Sequence, residues 1–146
     1  MDNSKMTFAA WIRKVGDGGG SGFGRIFGFG RDLTDAQIAI YTNATEQVYF
    51  KTDWNASSNI WGTTNGLFSL NEWVHLVITY DATSASNDPI FYINGTAQSL
   101  TTNASPTGTW NGIATSLNCF VGNDAVGSTG WQGHLADVAV WNTILT

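Results

Sequence analysis

The sequence predicts an all-β protein, an antiparallel β-sandwich, on three observations. The second half carries four short runs rich in β-branched and aromatic residues: Trp73-Val-His-Leu-Val-Ile-Thr-Tyr-Asp81, Pro89-Ile-Phe-Tyr-Ile-Asn-Gly95, Cys119-Phe-Val-Gly-Asn123 and Gly133-His-Leu-Ala-Asp-Val-Ala-Val-Trp-Asn142. Each closes on Asp, Asn or Gly, which is how strands and their turns are written. Charged residues make up only 12% of the chain and aromatics 13%, with seven Trp and 17 Gly, whereas a helical protein of this size carries more Lys, Glu, Leu and Ala. At 146 residues the chain is the size of one domain with one core, and neither an internal repeat nor a domain boundary interrupts it.

Taken in order, the elements follow from residue type. Residues 7–13 form the first strand. The stretch 16–24 is too rich in glycine to hold a regular element and is expected to be a loop. Residues 25–31, 36–42 and 46–51 read as three strands of an antiparallel meander, with Ile38 and Ile40 on one face and Ala39 and Tyr41 on the other. Residues 52–66 read as a polar loop bearing Trp54 and Trp61. In 73–80 both alternating sets are largely apolar, as expected of a strand between layers. Residues 90–93 run into Asn94-Gly95, the signal of a tight hairpin, with 96–100 as the return strand. The last two strands fall at 117–122 and 134–142.

These phrases, together with Thr7-Phe-Ala-Ala-Trp-Ile-Arg13, resemble in order and spacing the laminin-G-like, concanavalin A-like family. Its members carry "FTxxAWI", "WxHLxxTYD", "xFYxNG", "xxxGN" and "GxLxDVxxWNxxL". The resemblance covers nearly the whole chain and implies one jelly-roll domain over residues 1–146. It also implies a non-catalytic binding module, for glycan or adhesion, within a surface, secreted or virion-associated protein. Because the fold hosts many functions, two alternatives stand beside it: a purely structural or assembly module, and a glycoside hydrolase relative that has lost its carboxylates.

Several functional classes are excluded by residue type. A net charge of -5 with only six Lys and Arg spread along the chain does not fit nucleic acid, which needs clustered cations. No apolar run approaches the roughly 20 residues that cross a bilayer, and the first six residues lack the apolar region of a signal peptide. Cys119 is the only cysteine, so no intramolecular disulfide forms, and it is expected to be a small buried hydrophobe. Glu46 and Glu72 are solitary, without the paired carboxylates of glycoside hydrolysis. His75 is expected to be packed in its strand, His134 to be solvated, and the two have no zinc-ligand spacing. The glycine-rich loop fits neither a phosphate-binding nor a calcium-repeat pattern. Calcium is the one cofactor that the resemblance brings into question, since relatives bind it at the sandwich rim. Candidate oxygens are Asp32 and Asp35; Asp81, Asn87 and Asp88; and Asn123 with Asp124. These are also ordinary turn residues, so no ligands are assigned.

The seven tryptophans divide by context. Trp11, Trp73, Trp131 and Trp141 lie in or beside the family phrases, where the resemblance implies core positions. Trp54, Trp61 and Trp110 lie in polar, turn-rich stretches. Flat aromatic faces beside amides suit a sugar, so Trp54, Asn55, Trp61, Trp110 and Asn111 are the candidate ligand-binding residues, with loop anchoring as the structural alternative. Four Asn-x-Ser/Thr sequons occur, at Asn43, Asn55, Asn94 and Asn103, a number that a chain this rich in Asn, Ser and Thr produces by chance. Relatives usually carry another strand before the first phrase and continue beyond the last into a closing segment. One sheet is therefore expected to lack an edge strand, and an open edge invites a homo-oligomer.

Overall fold

The structure is a computed structural model that describes residues 3–19, 22–30, 37–110, 112–114 and 116–146. Among these there is no helix, and the strands run β1 (Lys5–Lys14), β2 (Gly24–Phe29), β3 (Ile38–Thr42), β4 (Val48–Asp53), β5 (Ser58–Thr63), β6 (Trp73–Asp81), β7 (Ile90–Ile93), β8 (Thr96–Ala97), β9 (Leu100–Ala104), β10 (Cys119–Val121) and β11 (Gly133–Trp141). They form a five-stranded sheet, β11-β1-β6-β7-β8, and a six-stranded sheet, β10-β2-β3-β4-β5-β9, with every neighbouring pair antiparallel.

The core lies between the sheets and is written by the two-residue pleat. From the five-stranded sheet Phe8, Ala10 and Ile12 of β1, Val74, Leu76 and Ile78 of β6 and Phe91 of β7 point inward and are buried. Ile26, Phe27, Ile38, Ile40, Phe50 and Trp61 meet them from the six-stranded sheet. Phe50 packs edge-on against Tyr80 and Phe91 at ring separations of 5.4 and 6.5 Å and stacks on Trp61 at 6.0 Å.

The β2-β3-β4 meander and the 94–95 hairpin form as expected, with Asn94 and Gly95 both at positive φ, 49° and 78°. Three expectations are corrected. The stretch 52–66 is not one loop: it contains β5, because Trp61 follows the pleat opposite Phe50 and belongs to the core, 0% exposed. The return strand after Gly95 is only Thr96–Ala97, and the chain then changes sheet so that Leu100–Ala104 pairs with β5. Cys119 is exposed rather than buried, since β10 is the edge of its sheet.

The tryptophans of the family phrases are corrected as well. Trp11, Trp73 and Trp141 are 40, 43 and 39% exposed, and Trp131 is half-buried at the margin of the core. The pleat explains this, because Ile12 and Val74 take the inward positions and leave Trp11 and Trp73 on the outer face. His75 shares that outer face, its ring 5.1 Å from Trp11, instead of packing in the core.

A turn at 122–130 closes the margin beside β2. Asp124 accepts hydrogen bonds from the Ser128 N–H and Oγ and from Thr129 Oγ1, at 2.9, 2.7 and 2.8 Å, while the Thr129 carbonyl accepts from the Arg25 N–H at 2.8 Å. Burial works against the charged carboxylate, but these donors and the nearby Arg25 guanidinium outweigh it and hold Asp124 down to about 2.

Two outcomes are expected. Trp61→Ala lowers stability by about 3–5 kcal/mol, as deletion of a buried aromatic does, whereas Trp141→Ala costs about 1 kcal/mol or less; chemical denaturation of both variants checks the ranking. Because the folded-state value of Asp124 lies below its ordinary 3.8, the unfolded chain takes up this proton first as pH falls. The stability Asp124 contributes is complete above about pH 4 and is lost toward about pH 2. Urea midpoints measured across that window should fall less steeply for Asp124→Asn than for the unaltered protein, and equal slopes would refute the assignment.

Candidate functional site

Trp54 follows the last residue of β4, and a short turn fixes it there: its N–H donates to the Ser57 carbonyl at 2.8 Å and Ser57 N–H returns a bond at 3.3 Å. The next residue, Asn55, ties this turn to the chain some fifty residues on. Its Oδ1 accepts from the Thr109 N–H at 2.9 Å, its Nδ2 donates to Thr109 Oγ1 at 3.0 Å, and its N–H donates to the Thr109 carbonyl at 3.2 Å. Ser57 Oγ reinforces the join by accepting from the Thr107 N–H at 2.9 Å. Gly108 sits at φ +88° with Asn55 Oδ1 pressed against the place a Cβ would occupy, so only glycine serves there.

The consequence is that Trp110 is delivered to Trp54, the rings 6.0 Å apart and inclined at 57°. They form one side of a cleft of about 490 Å³, with Asn3, Ser4, Thr83, Ala85 and Thr109 among its other lining residues. The opposite side is built by β1 and β6, because Ala82 N–H donates to the Ser4 carbonyl at 2.6 Å just beyond the end of their pairing. Thr83 is held by Asp81, whose carboxylate accepts from both the Thr83 hydroxyl and N–H, at 2.5 and 3.0 Å. Those bonds, foremost the hydroxyl, with Lys5 assisting, lower the Asp81 carboxyl below its usual range despite some desolvation.

The indole N–H of Trp110 is buried without a hydrogen-bond partner, whereas that of Trp54 is directed at the Tyr80 hydroxyl. A buried donor without an acceptor is unfavourable by about 1–3 kcal/mol, so the Trp110 ring is held in place against a local cost. Trp54 is 6% exposed, which leaves it as the back of the site, and Trp110 is half-buried with more of its ring available.

The structure thus brings together Trp54, Asn55 and Trp110 from the set singled out by sequence. Asn111 lies outside the described residues. Trp61 is elsewhere: fully buried, ring 5.3 Å from Tyr80, its Nε1 donating to Asp88 Oδ1 at 2.8 Å, so its faces are closed to any ligand. Thr83 and Asn3 were missed by sequence reading. Asp81-Ala-Thr83 carries a legible turn signal, but nothing local announces that Asn3 ends beside Trp110.

The other chemistry-bearing residues have structural partners. Glu46 pairs with the buried Lys14 ammonium at 2.9 Å, and Asp17 and the Asn43 carbonyl complete that ammonium's shell at 3.3 and 2.7 Å. Of the calcium candidates, Asp32 and Asp35 lie outside the described residues. Asp81 holds Thr83, Asp88 holds Trp61 and Asp124 holds Ser128 and Thr129. Among the described residues no cluster of three or more His, Cys, Asp or Glu has the disposition of a metal site. Asp81, Asp88 and Asp124 thus serve three separate local contacts.

Known proteins share this architecture. A family profile for the concanavalin A-like lectin/glucanases superfamily matches residues 1–146. Among solved structures, a heptameric SAP-like pentraxin from Limulus polyphemus superposes with a TM-score of 0.67 at 18% identity, covering 98% of this chain and 66% of its own. A putative carbohydrate binding protein from Bacteroides ovatus gives 0.68 at 17% identity over 98% of this chain and 38% of that one. The Ruminococcus gnavus IT-sialidase CBM40 bound to α2,3-sialyllactose gives 0.67 at 10% identity over 97% and 78%. The chain therefore spans about two thirds of the pentraxin and little more than a third of the Bacteroides protein. No curated protein matches it by sequence. The profile covers the entire length, and the two-sheet sandwich agrees with it: this chain belongs to the concanavalin A-like lectin/glucanases superfamily.

Proposed function

We propose that the chain is a non-catalytic glycan-binding module of a secreted or surface-exposed protein, and that the cleft at Trp54 and Trp110 takes the sugar. The observation that carries this reading is the Trp54–Trp110 aromatic pair on the wall of a cleft lined otherwise by Asn3, Ser4, Thr83 and Thr109 beside small Ala and Gly residues. Sugar rings offer C–H faces to aromatics and hydroxyl oxygens to donors, and concave sites with a few placed polar groups are where small ligands bind. Asn55 acts mainly by holding the loop that carries Trp110 in place. The Bacteroides and Ruminococcus neighbours, named as carbohydrate-binding, support the ligand class. The engagement of Glu46 by Lys14 and the solitary, exposed Glu72 support a binding role over hydrolysis, which needs a matched pair of carboxyl groups.

A glycan array followed by calorimetry on the strongest hit tests the reading. Trp110→Ala should weaken binding by about 1–3 kcal/mol with little loss of stability, because the ring is only half-buried. Asn55→Ala should weaken it through loosening of the loop, with a stability loss of about 1 kcal/mol. Undiminished affinity in Trp110→Ala would sink the assignment of this cleft.

A second reading, self-association, is favoured by β11. It is the edge of its sheet, and Val140 on it is 41% exposed. Beside its end lies a further cleft of about 630 Å³, lined by Met6, Phe29, Ile113, Leu117, Val140 and Trp141 among others. A second copy laid along β11 would cover both. Sedimentation should then show a dimer that Val140→Lys converts to monomer, and a monomer at all concentrations in the unaltered protein would count against it.

A further inference from the structure

The outer face of the five-stranded sheet carries a group of side chains that the cleft leaves unexplained. Registers place His134, Arg13 and Trp73 in one row across β11, β1 and β6, and Ala136, Trp11 and His75 in the next. Trp11 and Trp73 are diagonal neighbours on adjacent strands, which puts them about 7–8 Å apart. Both indoles are 40% exposed or more, and each is backed by an imidazole: Trp11 by His75 at 5.1 Å, Trp73 by His134 at 6.2 Å. The second pairing is informative, because β6 and β11 are separated by β1. The two rings lean toward each other over the Arg13 row.

Arg13 is the unusual member. Lys5, Lys14 and Lys51 each sit within 3.6 Å of an Asp or Glu carboxylate. Among the described residues Arg13 has no such partner, and its polar contact is Nε donating to the Asn71 carbonyl at 3.0 Å. That bond fixes the direction of the guanidinium and leaves the terminal amino groups, the fork that grips a carboxylate, uncommitted. The nearby carboxylates, Glu72 and Asp137, are exposed and do not pair with it. In a chain of net charge -5 this is a local cationic spot between two exposed indole faces.

We propose that Trp11, Arg13, Trp73, His75 and His134 form a second binding surface, for a carboxylate-bearing oligosaccharide. Arg13 grips the carboxylate, the indoles stack on sugar faces, and the imidazole N–H groups meet neighbouring hydroxyls. Size favours a saccharide over a protein. Three strands about 4.8 Å apart and two rows about 7 Å apart span on the order of 100 Å², far below the roughly 800 Å² per partner of a stable protein interface. The rigid strands hold the groups in place, so little ordering opposes binding. This inference stands apart from the cleft at Trp54 and Trp110 and survives that site's failure.

The test uses two matched pairs of ligands: the galacturonic acid trimer against its methyl ester, and sialyllactose against lactose. The protein should bind at least one acidic member about tenfold or more tightly than its neutral counterpart, the ratio expected for hydrogen bonds to a charged group. Arg13→Gln should reduce the ratio to about twofold or less, and Arg13→Lys should restore part of it. On the unaltered protein, titration should shift the indole N–H resonances of Trp11 and Trp73, a readout independent of whether any variant folds. Equal affinity for acidic and neutral members, an undiminished ratio in Arg13→Gln, or shifts confined to Trp54 and Trp110 would each overturn the proposal. So would a hexaglutamate peptide that moves the Trp11 and Trp73 signals as strongly, since the surface would then be a general anion patch.

Discussion

The unbroken antiparallel pairing of β1 with β6 is the constraint on which the rest depends. It runs through nine residue pairs, from Lys5 opposite Asp81 to Arg13 opposite Trp73, without a bulge. Since side chains alternate faces, a slip of one residue would send Phe8, Ala10 and Ile12 to solvent and draw Thr7, Trp11 and Arg13 inward. The cost of burying an unpaired guanidinium makes that register inaccessible. The same pairing then positions both proposed binding surfaces. Its far end seats Ser4 beside Ala82 and makes one side of the Trp54 cleft, while its near end places Arg13 and Trp73 side by side on the outer face.

The strands and the fold were legible in the sequence because each β phrase carries its own local signal. The fate of the tryptophans was not. Trp61 looks like a loop residue, flanked by Asn-Ile and Gly-Thr, yet the Gly is there for packing: a Cβ on Gly62 would strike the ring of Tyr49 on the outer side. Polar neighbours in β5 face outward or are satisfied, as Asn59 is by Thr52 and Ser57, so local polarity misreported burial. Trp11 and Trp73 misled in the opposite sense. A resemblance ranks positions by residue size, whereas the pleat ranks them by parity, and parity assigned the interior to Ile12 and Val74.

The candidate cleft was half legible for a related reason. Asp81-Ala-Thr83 and the turn after β4 are local and can be read from residue order. The join between Asn55 and Thr109 is a contact across fifty-four positions, and it exists only because the chain leaves the five-stranded sheet after Ala97 and crosses to pair with β5. Short strands such as Thr96–Ala97 have too few alternating residues to announce that crossing. Sequence could nominate Trp54, Asn55 and Trp110 separately, but proximity came from topology.

The distribution of cations links stability to recognition. Lys14 is buried, and leaving its ammonium without Glu46, Asp17 and the Asn43 carbonyl would be strongly unfavourable, so its charge is tied to the fold. Lys51 is held likewise by Asp53 at 3.1 Å, and buried Arg25 lends its field to Asp124. Cations used in this way cancel carboxylates inside the molecule and attract little from outside. What remains at the surface is a mostly negative field, which repels extended polyanions at long range within the Debye length of about 8–10 Å. Under the second-surface proposal, the Arg13 guanidinium flanked by indoles in such a field favours a ligand that is short and apolar on one face. On that proposal the surrounding repulsion would add specificity, because it disfavours the larger anions that an isolated arginine would otherwise accept.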